Sequence, residues 1–397
     1  TSSHPQVEAV WIEEALDGIG EEAAAVPRPA SEPVYLVHSS GTTGFPKAVT
    51  LRNGPQSHAV RGWLSYVHLS RTRDRGYLAV PTNHQAVILT FNSLLLLGLR
   101  THWIGPYDRH GFEPNRVVRE LQDGGFTGYF GFPVTYTLLK EVERAPASLC
   151  RMRFWASTAD ATHEAITRRF VTLGGAFKSV GIPITGSIFL DAQGSSEVGT
   201  PSVLRYFTRF TRRFARRIGR AGSTPFGPEV RIADPSGRPV TPGTVGRLEV
   251  KGRTVFDSYW NDPALTAQVI RDGWFFTGDV ARLERDGHFV QLDREVDVIR
   301  TRSGDVYSLP IEEIVHFHPA VFDVCVYGAR QPDGSQLPAA CVALREAAGV
   351  GAGRLLEELN ARLPPEARLS RLDIRDWAEF PMGVTGKTLK RVFREAV

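Results

Sequence analysis

A strand pattern at residues 34–39 runs directly into Ser39-Ser40-Gly41-Thr42-Thr43-Gly44-Phe45-Pro46-Lys47, and this junction constrains the chain more than any other stretch. Small hydroxyl side chains and two glycines leave backbone N–H groups exposed, and the loop ends in a cation. That is the composition of an anion cradle able to grip a triphosphate tail. It is not a Walker A loop, because Pro46 precedes the lysine and the glycine spacing differs. The alternative is an ordinary Ser/Thr/Gly surface turn. Few such turns combine four hydroxyls, a proline and a lysine, and lysine is scarce here: of the 47 basic residues only Lys47, Lys140, Lys178, Lys251, Lys387 and Lys390 are not arginine. In so Arg-rich a background a lysine is a candidate for a required one.

At 397 residues, 42% hydrophobic and 23% charged, the chain suffices for two or three domains and is too apolar for wholesale disorder. Its longest apolar run, at residues 94–97, is far short of the roughly 20 residues a membrane span needs. The opening Thr1-Ser2-Ser3-His4 has no basic segment followed by an apolar one and no initiator Met, so a fragment or processed product without a secretory signal is expected. Cys150, Cys325 and Cys341 are odd in number, widely spaced and without a CxxC, which predicts neither a disulfide scaffold nor a zinc cluster and fits a reducing cytoplasm. The net charge of +4 is too small to imply nucleic-acid binding.

Apolar residues at three- and four-residue spacing predict helices at 115–123, 134–143 and 163–172. Short strands are predicted at 77–80, 154–156 and 187–190. Strands alternating with helices imply a mixed, largely parallel α/β sheet. Beyond about Gly227 the pattern turns to short strands at 229–233, 247–250 and 288–292. A second α/β unit then follows, with helices at 310–317 and 353–363 and strands at 323–327 and 339–344. The charged stretch at 292–298 separates the two patterns.

The loop ending in Lys47 resembles the phosphate-binding signature of the ANL adenylate-forming superfamily, which comprises acyl-CoA synthetases, peptide-synthetase adenylation domains and luciferases. Other matches fall in the family's order. Gln193-Gly194-Ser195-Ser196-Glu197 resembles its aromatic-Gly-x-Thr-Glu segment. Residues 246–252 with Ser258-Tyr259-Trp260 resemble its Gly-Glu-Leu and Gly-Tyr segment, and Thr277-Gly278-Asp279 its Thr-Gly-Asp motif. Residues 293–300 resemble the interdomain Gly-Arg-x-Asp-Asp segment, and residues 381–387 the C-terminal Gly-Lys motif. The likeness spans nearly the whole chain. It implies an α/β fold: a large N-terminal domain of mixed, largely parallel sheets with helices and a small β-rich subdomain, and a small α+β C-terminal lid. The division expected is a core at 1–292, a hinge at 293–297 and a lid at 298–397.

The resemblance also implies roles. Ser39, Ser40, Gly41, Thr42, Thr43, Gly44 and Lys47 would hold the phosphates of ATP. Glu197 with Thr43 would serve Mg²⁺, which takes one or two carboxylates plus phosphate oxygens, and Ser196 and Gln193 would border the nucleotide. Asp279 would accept both ribose hydroxyls, Arg294 would reach ribose or phosphate, and Asp191 would accept from the adenine amino group. Lys387 would enter on the lid and bridge the acid's carboxylate and the phosphate. His84, in a Pro-x-x-His segment, would flank that carboxylate or serve as a structural group after a strand. Residues 129–133 and 187–190 would line the acid's pocket, their aromatics favouring an aryl or apolar acid.

The sequence also departs from the family. Only 34 residues precede Tyr35, where relatives carry a longer segment. Gln193 replaces the aromatic that stacks on adenine, Ala48 a glycine, and the stiff, β-branched Val296 the usual hinge Asp or Lys. Val296 tilts the acceptor away from coenzyme A, leaving CoA, a phosphopantetheine carrier thiol and an amine open. Arg205, Arg209, Arg212, Arg213, Arg216 and Arg220 fall on one face of a helix predicted at 205–220, with Phe207, Phe210, Phe214 and Ile218 opposite. That helix would be either a docking surface for an acidic carrier protein or a solvated surface helix. The expected activity is ATP-dependent formation of an acyl-AMP with release of pyrophosphate, then transfer to a thiol or amine. The alternatives are nitrite activation by a diazotase of the same superfamily and a degenerate nucleotide-binding homologue.

Overall fold

In the computed structural model of the chain, the residues described are 26–39, 46–66, 69–81, 84–104, 112–142, 149–212, 214, 217–220, 224, 227–346, 348–383 and 385–395. They form a large mixed α/β N-terminal domain and a small C-terminal domain. The first holds a six-stranded sheet in the order Arg100–Trp103, Arg75–Ala79, Gly128–Gly131, Phe154–Ser157, Ile188–Gln193 and Val203–Phe207. The first five strands are parallel and the last runs antiparallel. Helices Gln85–Leu96, Pro114–Asp123, Pro133–Lys140 and Glu164–Phe170 cross over between strands, as parallel pairing requires. Each lies within a few residues of the helix its periodicity predicts, apart from Gln85–Leu96, which was not predicted.

The core of this domain is aromatic. Tyr77, Tyr129, Tyr136, Trp155, Phe170, Phe189 and Phe207 pack in one buried cluster, with rings meeting mostly edge-on or tilted, such as Tyr136 on Phe170 at 5.0 Å and Trp155 on Phe170 at 4.8 Å.

A second, antiparallel sheet follows in the order Glu229–Ala233, Val245–Lys251, Trp274–Leu283, His288–Arg294 and Arg217–Arg220. The strand Pro33–His38 pairs with Ala48–Arg52 antiparallel. The C-terminal domain carries a three-stranded sheet of Val321–Arg330, Gln336–Leu344 and Arg371–Ile374, a two-stranded ribbon, and the helices Ser308–His316, Ala352–Asn360 and Lys390–Glu395. No helix among the described residues is long and apolar enough to cross a membrane.

The helix expected at 205–220 is absent. Val203–Phe207 is instead the edge strand beside Ile188–Gln193, and Arg217–Arg220 pairs with His288–Arg294 in the second sheet. Arg205 is buried, its guanidinium donating to the Phe214 carbonyl at 2.7 Å and lying 4.3 Å from the Phe207 ring centroid. Phe207 and Phe214 stack at 5.4 Å within the aromatic core. Strand pairing and the burial of these rings override the helical spacing. With the helix goes the carrier-docking surface built on it. Arg213 and Arg216 lie outside the described residues.

Candidate active site

This strand pairing brings the start and end of the loop together: Ser39 N–H donates to the Lys47 carbonyl at 2.9 Å, and Lys47 N–H donates to Ser39 Oγ at 3.0 Å. Ser40, Gly41, Thr42, Thr43 and Gly44 lie outside the described residues. Lys47 Nζ sits 5.4 Å from the centroid of the Tyr259 ring, a cation–π distance. The Tyr259 hydroxyl donates to Glu197 Oε1 at 3.0 Å. Burial and the Glu197 charge push the Tyr259 phenol well up, so it stays a donor. Loop lysine, phenol and carboxylate thus form a line that joins two distant motifs. Glu197 and Ser196 are both buried. Tyr259 was read only as part of a motif; its role depends on a contact between segments about 60 residues apart.

Asp279 is the most heavily bonded group. Its Oδ2 accepts from Gln193 Nε2 at 2.8 Å and Thr277 Oγ1 at 3.2 Å, and its Oδ1 from Gln291 Nε2 at 3.1 Å and an Arg294 Nη at 3.2 Å. Three nitrogen donors engage the carboxylate, and the Thr277 hydroxyl shares its one proton between it and the Leu248 carbonyl at 3.0 Å. The residue expected to accept ribose hydroxyls is therefore bonded to protein, and one of its donors is Gln193. Gly278 makes the turn: its φ is +82°, and a Cβ there would lie 2.9 Å from an Arg294 Nη. Burial pulls the Arg294 guanidinium down, but the charges of Asp279, Glu197 and Asp297 outweigh it and hold the group above its ordinary pKa.

Asp191 Oδ1 accepts from Thr162 Oγ1 at 3.0 Å. Asp191 borders a narrow crevice shared with Gln193, Gln291 and Asp160. Lys387 lies across the domain junction, its Nζ 2.9 Å from Asp160 Oδ1. It lines a second crevice with Gln291, Asp293 and Arg294. Gln291 and Asp160 line both crevices, which bring Lys387 and Arg294 near Asp191 and Gln193.

His84 caps the helix Gln85–Leu96, its Nδ1 accepting from Ala86 N–H at 3.2 Å. Burial lowers its imidazole to about 4, so it is neutral near pH 7 and carries its proton on Nε2, a hydrogen-bond donor. It lines a cavity of about 380 Å³ whose walls are mostly apolar, with Trp63, Leu89, Tyr129, Phe130 and Leu190 among them. Two sites expected in that lining turn inward instead: Phe132 packs in the core, and Ser187 Oγ accepts from Trp155 Nε1 at 2.8 Å.

Several interdomain contacts join this site to the C-terminal domain. Glu313 accepts from Glu164 N–H at 2.7 Å and meets His163 Nδ1 at 3.3 Å. Arg345 forks onto Glu141 at 3.0 and 3.1 Å. Below the junction, Lys390 is buried on Ser308 and on Glu312 at 2.7 Å, and Asp293 accepts from Ser308 N–H at 2.6 Å. Those carboxylates hold the Lys390 ammonium above its ordinary pKa against the opposing effect of burial.

Residues 2–260 match the family model of the AMP-binding enzyme, and residues 310–387 that of the AMP-binding enzyme C-terminal domain. The chain belongs to the AMP-binding enzyme family. It is an ATP-dependent, AMP-forming ligase of the adenylate-forming superfamily. A Streptomyces sp. protein described as 3-aminoavenalumate diazotase is 32% identical, over 92% of this chain and 68% of that protein. The feruloyl-CoA synthase of Amycolatopsis sp. is 29% identical, over 94% of this chain and 72% of that one. The fold is that of the ATP-bound RpMatB-BxBclM chimera B3, with a TM-score of 0.81 at 23% identity over 97% of this chain and 72% of that one.

Donor chemistry sets how this AMP-binding enzyme would hold Mg²⁺. Among the described residues no group of three or more His, Cys, Asp or Glu side chains forms a metal cage. Mg²⁺ binds through one or two carboxylates together with phosphate oxygens and water, and the buried Glu197, a single carboxylate bonded to Tyr259, fits that habit.

Proposed function

We propose that this enzyme activates an aryl or otherwise apolar carboxylic acid as its acyl-AMP and passes the acyl group to a thiol or amine. The observation that carries this reading is the 380 Å³ cavity, walled by Trp63, Leu89, Tyr129, Phe130 and Leu190, with the neutral His84 in its lining. Walls of this kind suit an aromatic or otherwise apolar acid, with Gln85, Tyr129 and Ser195 among the polar groups in the lining.

The acid's carboxylate attacks the α-phosphate of ATP and pyrophosphate leaves, so negative charge must be neutralised as it moves. Lys387 bridges carboxylate and phosphate. Arg294 holds ribose or phosphate, and the loop ending in Lys47 grips the tail. Asp279 orients the ribose through exchange with the donors it now has. Glu197, steadied by Tyr259, would hold Mg²⁺, which when bound would offset phosphate charge. In the proposed division into core, hinge and lid, Lys387 belongs to the lid. Val296 lies in the hinge turn Glu295–Asp297. The C-terminal Arg394 bonds both the Val296 carbonyl and Asp297 Oδ1, the latter at 3.0 Å. This tether favours an acceptor reached without a large lid rotation, an amine over coenzyme A. A cytoplasmic setting suits the three free thiols.

The test is pyrophosphate release from MgATP with a panel of aryl, fatty and amino acids plus nitrite. Release driven by an aryl acid, slowed about 10²- to 10³-fold by Lys387→Ala, is the expected result. Release driven by nitrite alone would replace the acid reading with the diazotase one. Saturable ATP binding without release from any member of the panel would mark a degenerate homologue.

A further inference from the structure

We propose that Asp160 is the positioning residue for Lys387, seating the lid ammonium where the acid cavity meets the nucleotide crevice. The inference rests on Lys387 being the catalytic cation of the proposed reaction. It starts from the ion pair itself, Lys387 Nζ to Asp160 Oδ1 at 2.9 Å, which joins the two domains. Lys387 is 16% exposed and Asp160 30%, so the pair is shielded more than an ordinary surface bridge.

Both partners are delivered by left-handed backbone. Ala159, immediately before Asp160, has φ +76°, a conformation a non-glycine residue adopts only where its surroundings impose it. The preceding Thr158 pins the strand end, its Oγ1 donating to the Ala192 carbonyl at 2.7 Å. Ala159 packs against the buried cluster that holds Phe132 and Val134, and so do Trp377 and Met382 of the C-terminal domain. On the lid side Gly386, immediately before Lys387, has φ +73° and lies so close to Val134 that a Cβ would come within 2.4 Å of its Cγ1. The two turns thus meet across one packed seam and aim their following side chains at each other. The strain at Ala159, the non-glycine of the two, is of a kind that clusters at functional positions.

The location is equally specific. Thr158 lines the acid cavity, and two residues later Asp160 lines both the crevice of Lys387 and Arg294 and that of Asp191 and Gln193. The neighbouring Lys390 has its own partners in Ser308 and Glu312. The Asp160 carboxyl is held below its ordinary pKa: burial raises it, and the Lys387 charge and hydrogen bond, the Ala161 N–H and the more distant Lys390 charge outweigh that. An ammonium has three N–H donors. One is given to Asp160, leaving two for the acid's carboxylate and the phosphate. Without Asp160 the four-carbon stem of lysine would sample many rotamers, and a misplacement of about 1 Å can cost roughly a hundredfold in rate.

The test compares full-length wild type, Asp160→Asn, Asp160→Glu, Lys387→Ala and the Asp160→Asn/Lys387→Ala double variant. The assay is ATP–pyrophosphate exchange with the most active of benzoate, cinnamate and ferulate. Asp160→Asn should lower kcat about 10- to 100-fold with the KM for ATP within about 3-fold. Asp160→Glu should restore part of the loss, and the double variant should be no slower than Lys387→Ala. A second readout needs no turnover: labelling of Lys387 by an amine-acetylating reagent, read by mass spectrometry, should be faster in Asp160→Asn. Wild-type kcat in Asp160→Asn beside an inactive Lys387→Ala would overturn the assignment of Asp160 alone. So would an equal Asp160→Asn loss in the Lys387→Ala background, or unchanged labelling. Full exchange in Lys387→Ala would instead overturn the reading of Lys387 on which the proposal rests.

Discussion

Gln193 stands where the family resemblance implies an aromatic ring over adenine, and its amide has a task of its own: it donates to Asp279 Oδ2 at 2.8 Å. The substitution therefore exchanges a stacking surface for a hydrogen bond to the carboxylate expected to hold ribose. Base–aromatic stacking is worth about 1–3 kcal/mol, so Gln193→Tyr should lower the KM for ATP by roughly 5-fold or more, read by pyrophosphate exchange. An unchanged or higher KM would mean that the Gln193–Asp279 bond compensates for the lost ring. That bond was not visible in the sequence. The motif located Gln193 and Asp279, but their meeting depends on the six-stranded sheet and the second sheet abutting. Lys390 is similar: its rarity marked it among the six lysines, while its burial on Glu312 became evident only in the fold.

At the scale of elements, the helix Gln85–Leu96 begins on His84, whose Nδ1 supplies the cap. Burial lowers this imidazole to about 4 in the folded chain, against about 6.5 when unfolded. The unfolded chain thus takes up a proton below about pH 6.5 that the folded chain refuses until about pH 4. Stability contributed by this group is present above pH 6.5 and lost as pH falls through that window. His84→Asn keeps a capping acceptor and removes the titration. Between pH 7 and pH 5 the wild type should lose about 2 kcal/mol more than the variant, measured by denaturant unfolding at each pH. Equal losses would refute a buried neutral His84. The helices and strands that periodicity predicted formed within a few residues, because each buries one face against the sheet beside it. The segment at 205–220 failed because its Arg and Phe spacing fits a helix locally, whereas Arg205, Phe207 and Phe214 are claimed by a strand pairing and a core that no local window contains.

For the whole molecule, the relation between the two domains governs whether Lys387 reaches the site. Gly386 lies against Val134, and a Cβ there would meet its side chain. The left-handed backbone alone costs a non-glycine residue about 1–2 kcal/mol, and the overlap adds to it. Gly386→Ala should therefore slow pyrophosphate exchange about 10-fold or more and speed proteolysis between the domains, while ATP binding to the core persists. Unimpaired exchange would show that the lid reaches its working position without this seam. By contrast Arg345 and Glu141 are each about a third exposed, and their pair is worth at most about 1 kcal/mol.

The ordered motifs, the strand-to-loop junction ending in Lys47 and the alternating periodicities determined the family, the α/β class and the inventory of charged groups, because each is written within a dozen neighbouring residues. Tertiary structure alone decided that Asp279 is engaged by Gln193, Gln291 and Arg294, that Tyr259 links Lys47 to Glu197, and that Asp160 faces Lys387. Those contacts join segments far apart in the chain. Their geometry is set by how sheets and domains pack, and packing energy is a property of the assembled core rather than of any local pattern.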